Sequence, residues 1–142
     1  MLNTVTFGNS TNPPLIIAHG LFGSARNWGV LSKRLSDAWH VIGVDMRNHG
    51  LSFWDNNHRY VDLANDLRSV ITKFGNSADV IGHSMGGKAA MALALFYSQF
   101  VKKLVVVDIA PVYYEHSQLE YINAMAAVNL NLVPLGMPNL HL

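Results

Sequence analysis

The chain has 142 residues, half of them apolar and 13% charged, with no cysteine and 10 Lys+Arg against 9 Asp+Glu. That length and apolar share suit one domain with a real core, and they exclude a disordered segment or a disulfide-stapled miniprotein. A formal net charge of +1 without a basic run leaves no electrostatic footprint for nucleic acid or an anionic membrane. The lack of thiols removes disulfides, thiolate metal sites and cysteine nucleophiles, in keeping with a reducing compartment.

The opening stretch MLNTVTFGNSTNPPL has no basic n-region and no apolar h-region, so the expectation is a cytoplasmic protein without a secretory signal. No window reaches the roughly 18 consecutive apolar residues of a membrane span. With no repeat and no linker, residues 1–142 are expected to form one unit. Val5 and Phe7 alternate with polar residues in a short strand, and Gly8, Asn9, Ser10, Asn12, Pro13 and Pro14 make the turn after it. Leu15 to Ala18 has no polar side, which implies a strand buried on both faces, as in a parallel sheet. Trp28, Leu31 and Leu35 recur at helical spacing, and Val41 to Val44 is the next buried strand, ending at Asp45. Leu63, Leu67, Val70, Ile71 and Phe74 line one helix face, with Gly75 where a C-terminal cap belongs. Asp79 to Ile81 reads as a strand, and Lys88 to Phe96 as a helix buried all round. Leu104 to Val107 closes the pattern as a strand ending at Asp108. Strand and helix alternating at this spacing predict an α/β fold with a mostly parallel sheet flanked by helices and right-handed crossovers.

In an open α/β sheet the reactive groups gather at the carboxyl ends of the strands. Those ends are His19-Gly20-Leu21-Phe22-Gly23, Asp45 to Gly50, Gly82-His83-Ser84-Met85-Gly86-Gly87, and Asp108. The third is G-x-S-x-G between a strand and a helix, the setting of a nucleophile elbow, in which glycines allow the turn that lifts Ser84 above the sheet. The Met85 N–H, at the helix start, is one oxyanion donor. The second comes from the loop after the second strand, where Leu21 is the first choice and Phe22 the alternative; each donor is worth roughly 3 to 4 kcal/mol. The bland reading, a small residue in a tight turn, is outweighed by the agreement of elbow and HG loop. Gly82, Gly87 and Lys88 also satisfy the start of a P-loop, but Ala89 stands where a hydroxyl must hold magnesium, and Lys88 is expected on the helix surface or against a neighbouring loop. Of the seven histidines none has a partner at ligand spacing, so no metal or other cofactor is expected. His19 is read as a satisfied loop histidine, His83 as pointing the wrong way for a general base, and His49 as loop packing.

HGLFGS, DMRNHGLS, GHSMGGKAAMALAL and VVVDIAPV, in that order, resemble the α/β-hydrolase fold family, specifically the YbfF-type bacterial esterases and their mitochondrial abhydrolase-domain relatives. The likeness runs from about residue 14 to 128. It implies hydrolysis of a small acyl ester or thioester with Ser84 as nucleophile and Asp108 as catalytic acid, the latter from the resemblance alone. It also makes Asp45 and Arg47 braces of the site, alongside His19, Gly20, Gly82, His83, Gly86 and Gly87 in the loop and elbow.

The family's order is Ser, acid, His, and its His follows the last strand. After Asp108 only His116 and His141 remain. The first comes too soon for the chain to return across the site, and the second is next to the final residue. The expectation is therefore a partial α/β-hydrolase fold lacking the C-terminal strands, with 112–142 the start of a cap or an aberrant tail, and a serine hydrolase impaired by a missing base. The uncharged run from Tyr121 to Leu142, broken by Pro134 and Pro138, fits a frameshift or premature stop. The alternative is a non-catalytic half-domain that binds a partner chain. Either way the strand from Leu104 to Val107 would be a bare edge, leaving the chain marginally stable or self-associating.

Overall fold

Apolar runs too short for helices become the middle of one sheet. In the computed structural model, which describes residues 1–112 and 119–129, β2 (Pro14–Ala18) and β3 (His40–Val44) pair in parallel. β4 (Ala78–His83) lies on the other side of β2, and β5 (Val101–Val107) pairs with β4, both in parallel. β1 (Thr4–Phe7) runs antiparallel to β3, giving the strand order β1-β3-β2-β4-β5. The helices are α1 (Gly29–Leu35), α2 (Tyr60–Phe74) and α3 (Met85–Phe96). These elements form one compact unit, Met1–Pro111. A second unit, Val112–Leu142, contains α4 (Leu119–Ala126). His116, His141, Pro134 and Pro138 lie outside the described residues.

Two apolar layers hold the sheet. Leu63, Leu67, Val70 and Ile71 of α2 and Ala89, Ala90 and Leu93 of α3 pack against Ile16, Ala18, Ile42, Val44 and Val80. On the other face Leu15, Ile17 and Val41 meet Phe7, Trp28, Leu35, Trp39 and Ile81. Each fully buried aliphatic side chain contributes about 1.5–3 kcal/mol. At the start of α2 the Asp62 carboxylate accepts the Arg59 N–H, and at its end the Gly75 N–H reaches the Ile71 carbonyl at 2.8 Å. No helix among the described residues is long and apolar enough to cross a membrane.

Several sequence expectations shift. The helix of Trp28, Leu31 and Leu35 is split: Ala25–Trp28 is a 3-10 turn, and Leu31 in α1 is exposed. Helix α3 is not buried all round, since Leu95 (81% exposed) and Phe96 stand free of the core at its end. β4 continues past Ile81 through Gly82 and His83, so His83 is a strand residue, and β5 begins at Val101.

Among the described residues β5 hydrogen-bonds to β4 alone and forms an edge of the sheet. Paired residues on parallel strands share a face; Val105 opposite Ile81 and Val107 opposite His83 therefore lie on the face away from α3, where they are 52% and 37% exposed.

Leu67, fully buried between α2 and the sheet, and Leu95 offer a contrast. Leu67→Ala is expected to cost about 2–5 kcal/mol in urea unfolding, and Leu95→Ala no more than about 0.5 kcal/mol.

Candidate active site

The elbow is built by close backbone approach. Ser84, between β4 and α3, has φ 50° and ψ −115°, a left-handed conformation that costs a residue with a side chain about 1–3 kcal/mol. The turn is held from both sides: the Ser84 N–H donates to the Val107 carbonyl at 3.0 Å, and the Gly86 N–H to the His19 carbonyl at 3.1 Å. A β-carbon on Gly86 would collide with the Ala18 and His19 backbone. Gly82 and Gly87 close the turn beneath, where a β-carbon on Gly82 would stand 2.5 Å from the Gly86 carbonyl oxygen. Ala89, the residue that a P-loop would need as a hydroxyl, is buried in the core.

The loop after β2 comes to the same point. A β-carbon on Gly20 would lie 3.1 Å from Ser84 Cβ and 2.8 Å from His83 Nδ1, so this loop touches the elbow only as glycine. The Met85 N–H opens α3 and has no carbonyl one turn earlier in the helix. Among the described residues, neither it nor the Leu21 N–H has a protein acceptor. The Phe22 N–H does have one, His49 Nε2 at 3.3 Å.

Beneath the loop, His19 is buried and fully committed. Its Nε2 accepts the Met46 N–H at 3.0 Å and its Nδ1 is 2.7 Å from the Gly20 carbonyl, which fixes the proton on Nδ1. Burial lowers its pKa, overriding the Gly20 carbonyl, so the ring stays neutral. Asp45 ties three segments together: it accepts the Asn3 side-chain amide (2.8 Å), the Ala25 N–H (2.8 Å) and the Leu51 N–H (3.0 Å). Arg47 spans the next loop through Asp66 at 2.6 Å and the carbonyls of Asn57 and Asp62. Asn3 and Asp66, which hold these two residues, lie outside the motifs.

Asp108, at the end of β5, has φ 56° and a side chain 84% exposed. Its Oδ2 lies 3.6 Å from His83 Nε2. The His83 ring, packed against Trp28 at 5.9 Å, thus faces the Asp108 carboxylate, an arrangement the reading of His83 as misdirected did not include. No hydrogen bond joins it to Ser84 among the described residues. A cleft of about 360 Å³ opens beside the elbow, lined by Gly20, Leu21, Phe22, Asn27, Trp28 and His83 among others. Lys88 holds its ammonium over the Tyr60 ring of α2, 5.8 Å from the centroid.

Residues 13–131 match the family model of the alpha/beta hydrolase fold. The chain belongs to the α/β-hydrolase fold family. It is 46% identical over 119 residues to "Esterase YbfF" of Escherichia coli K12, covering 83% of this chain and 46% of that protein. It is 43% identical over 108 residues to "sn-1-specific diacylglycerol lipase ABHD11" of Mus musculus, covering 74% of this chain and 35% of that one. The solved structure of a "Marine microorganism esterase" superposes with a TM-score of 0.85 at 38% identity, over 90% of this chain and 51% of its own. The chain therefore spans about half or less of the length of these relatives.

In this member of the α/β-hydrolase fold family the Asp45 carboxylate is shared among three donors. Burial would raise its pKa, but the Leu51 and Ala25 amides and the Asn3 carboxamide outweigh it and hold the carboxyl below the ordinary aspartate range. The stabilisation is complete above the unfolded-state value of about 3.9 and is lost as pH falls through the lower folded-state value. Asp45→Asn should cost about 1.5–3 kcal/mol at neutral pH and flatten the acid limb of stability against pH, measured by urea titration at stepped pH.

Proposed function

We propose that this chain is the nucleophile-bearing part of a serine esterase acting on small carboxylic ester or thioester bonds. The observation that carries the reading is Ser84, held at φ 50° on the β4–α3 turn with the Gly20 loop against its β-carbon. Its relatives, named as an esterase and a lipase, support the same chemistry.

Ser84 Oγ attacks the acyl carbon, its proton passes to a histidine base, and the carbonyl oxygen becomes an oxyanion held by the Met85 and Leu21 N–H groups. Collapse expels the alcohol or thiol, which takes the proton back and leaves an acyl-serine. Water, deprotonated by the same base, then attacks that acyl carbon; the new oxyanion collapses, Ser84 regains its proton and the acid departs. Asp108 orients the base and offsets its charge. The chemistry needs no cofactor. His19 has both ring nitrogens engaged, and so does His49. His83 faces Asp108 but has no hydrogen bond to Ser84 among the described residues, so the base is read as His116, His141 or a histidine of another chain. Without it, a triad-type enzyme loses roughly a millionfold in turnover.

A second reading is favoured by the β5 edge and its exposed valines: a half-domain that works only when another chain covers that edge. In its simplest form the edge pairs with a second copy. A sharp, concentration-independent melt of a monomer would overturn that form.

Turnover of a short-chain p-nitrophenyl ester by the 142-residue chain, run beside Ser84→Ala, separates the two readings. If the base lies within this chain, the parent chain turns over the ester and Ser84→Ala abolishes that turnover. Equal inactivity, relieved when a second chain that pairs with the β5 edge is added, supports the second.

A further inference from the structure

One hydrogen bond beside the elbow takes no part in the chemistry proposed above. His49, in the turn after β3, accepts the Phe22 N–H at Nε2 across 3.3 Å, and its Nδ1 lies 2.9 Å from the Arg47 carbonyl. A carbonyl only accepts, so Nδ1 carries the proton and Nε2 keeps its lone pair. The ring is a neutral acceptor with its tautomer set. It packs edge-on to His19 at 5.1 Å and lies 6.1 Å from the His58 ring.

Phe22 is the residue that needs this acceptor. The Gly23 N–H bonds to the Gly20 carbonyl at 3.0 Å, so residues 20–23 form a β-turn whose third position is Phe22, at φ 63°. Positive φ at that position belongs to turns that favour glycine or asparagine. A bulky side chain there is relieved by rotating the Leu21–Phe22 peptide, which returns Phe22 to negative φ and gives the common type I turn. That rotation would carry the Phe22 N–H away from His49 and bring the Leu21 carbonyl to face the Nε2 lone pair, a repulsive pairing. The hydrogen bond thus favours the strained form of the turn over the relaxed one.

We propose that His49 is a positioning residue for the oxyanion loop. By taking up the Phe22 N–H it locks the Gly20–Gly23 turn against Ser84, and it leaves the Leu21 N–H as the loop's donor to the oxyanion. The second part rests on the esterase reading; the lock itself does not. Twenty-seven residues separate the two partners, so the link joins the loop after β2 to the loop after β3 at their tips.

The test uses the full chain labelled with nitrogen-15. The wild type is expected to show a coupling across the hydrogen bond between the Phe22 amide nitrogen and His49 Nε2, and an HN–Hα coupling at Phe22 that reports positive φ. A folded wild type without the first coupling overturns the lock before any variant is made. His49→Leu removes the acceptor, whereas His49→Gln places a side-chain oxygen near the position of Nε2. Phosphonylation of Ser84 by a fluorophosphonate probe, with Ser84→Ala as blank, is expected to slow roughly tenfold to a hundredfold at saturating probe in His49→Leu. The half-saturating concentration should change little, and His49→Gln should recover most of the rate. If Ser84 reacts in the wild type and His49→Leu leaves both Phe22 φ and that rate unchanged, the lock is overturned and the esterase reading stands. If the lock is seen but Ser84 is no more reactive than the blank, the esterase reading fails for this chain acting alone and the lock stands.

Discussion

The start of helix α3 lies against the end of β2 at a separation that only glycine permits, and the geometry of the site follows from that contact. Because Gly86 has no β-carbon, its N–H can reach the His19 carbonyl, which seats the first turn of the helix on the sheet. With the helix seated and β4 fixed by its ladder to β2 and β5, the residue between them must bend through a left-handed conformation. That residue is Ser84. Its backbone strain is offset by the packing of Ala89, Ala90 and Leu93 beneath it, an arrangement typical of a functional turn imposed by a well-packed scaffold. The same carbonyl that receives Gly86 belongs to the residue whose ring receives the Met46 amide, so elbow, loop and the end of β3 share one support.

Around that support the polar groups divide into two clusters with different physics. Asp45 is an anion neutralised by N–H dipoles from the N-terminal segment, the Ala25 turn and the Leu51 turn, and it binds three stretches of chain distant in sequence. Arg47 and Asp66 form a nearly buried ion pair. Such a pair recovers little net stability after desolvation, but the Arg47 fork also bonds two carbonyls, and so it sets the path of the loop that leads into α2. His49 emerges between these clusters, with the Arg47 carbonyl on one nitrogen and Phe22 on the other.

How much of this was legible in the sequence depended on range. The strands at Leu15 and Val41 were plain because a run without a polar side has one consistent home, the middle of a parallel sheet. The apolar face of α2 and the elbow at Ser84 were equally plain, since periodicity and G-x-S-x-G are local signals. Leu31 and Leu95 were misread because helical spacing reveals a face but not whether anything covers it. The extension of β4 through His83 was missed because Gly82 and His83 looked like turn. Asn3 was illegible: a lone amide near the start of the chain gives no sign that it will meet a carboxylate 42 positions away. The Phe22–His49 bond depends on a positive φ that phenylalanine does not advertise, so no reading of residue types would have found it.

The edge strand β5 is protected unevenly. Its first half carries Lys102 and Lys103, both exposed, and charged lysines on an edge discourage another strand from adding there. Its second half, Val105 to Val107, has no such gatekeeper and runs directly into Asp108. An approaching strand is therefore steered in register, away from the lysines and toward the valines. The unguarded half of the edge is also the half whose last carbonyl, that of Val107, receives the Ser84 N–H, so the least protected stretch of backbone lies next to the elbow.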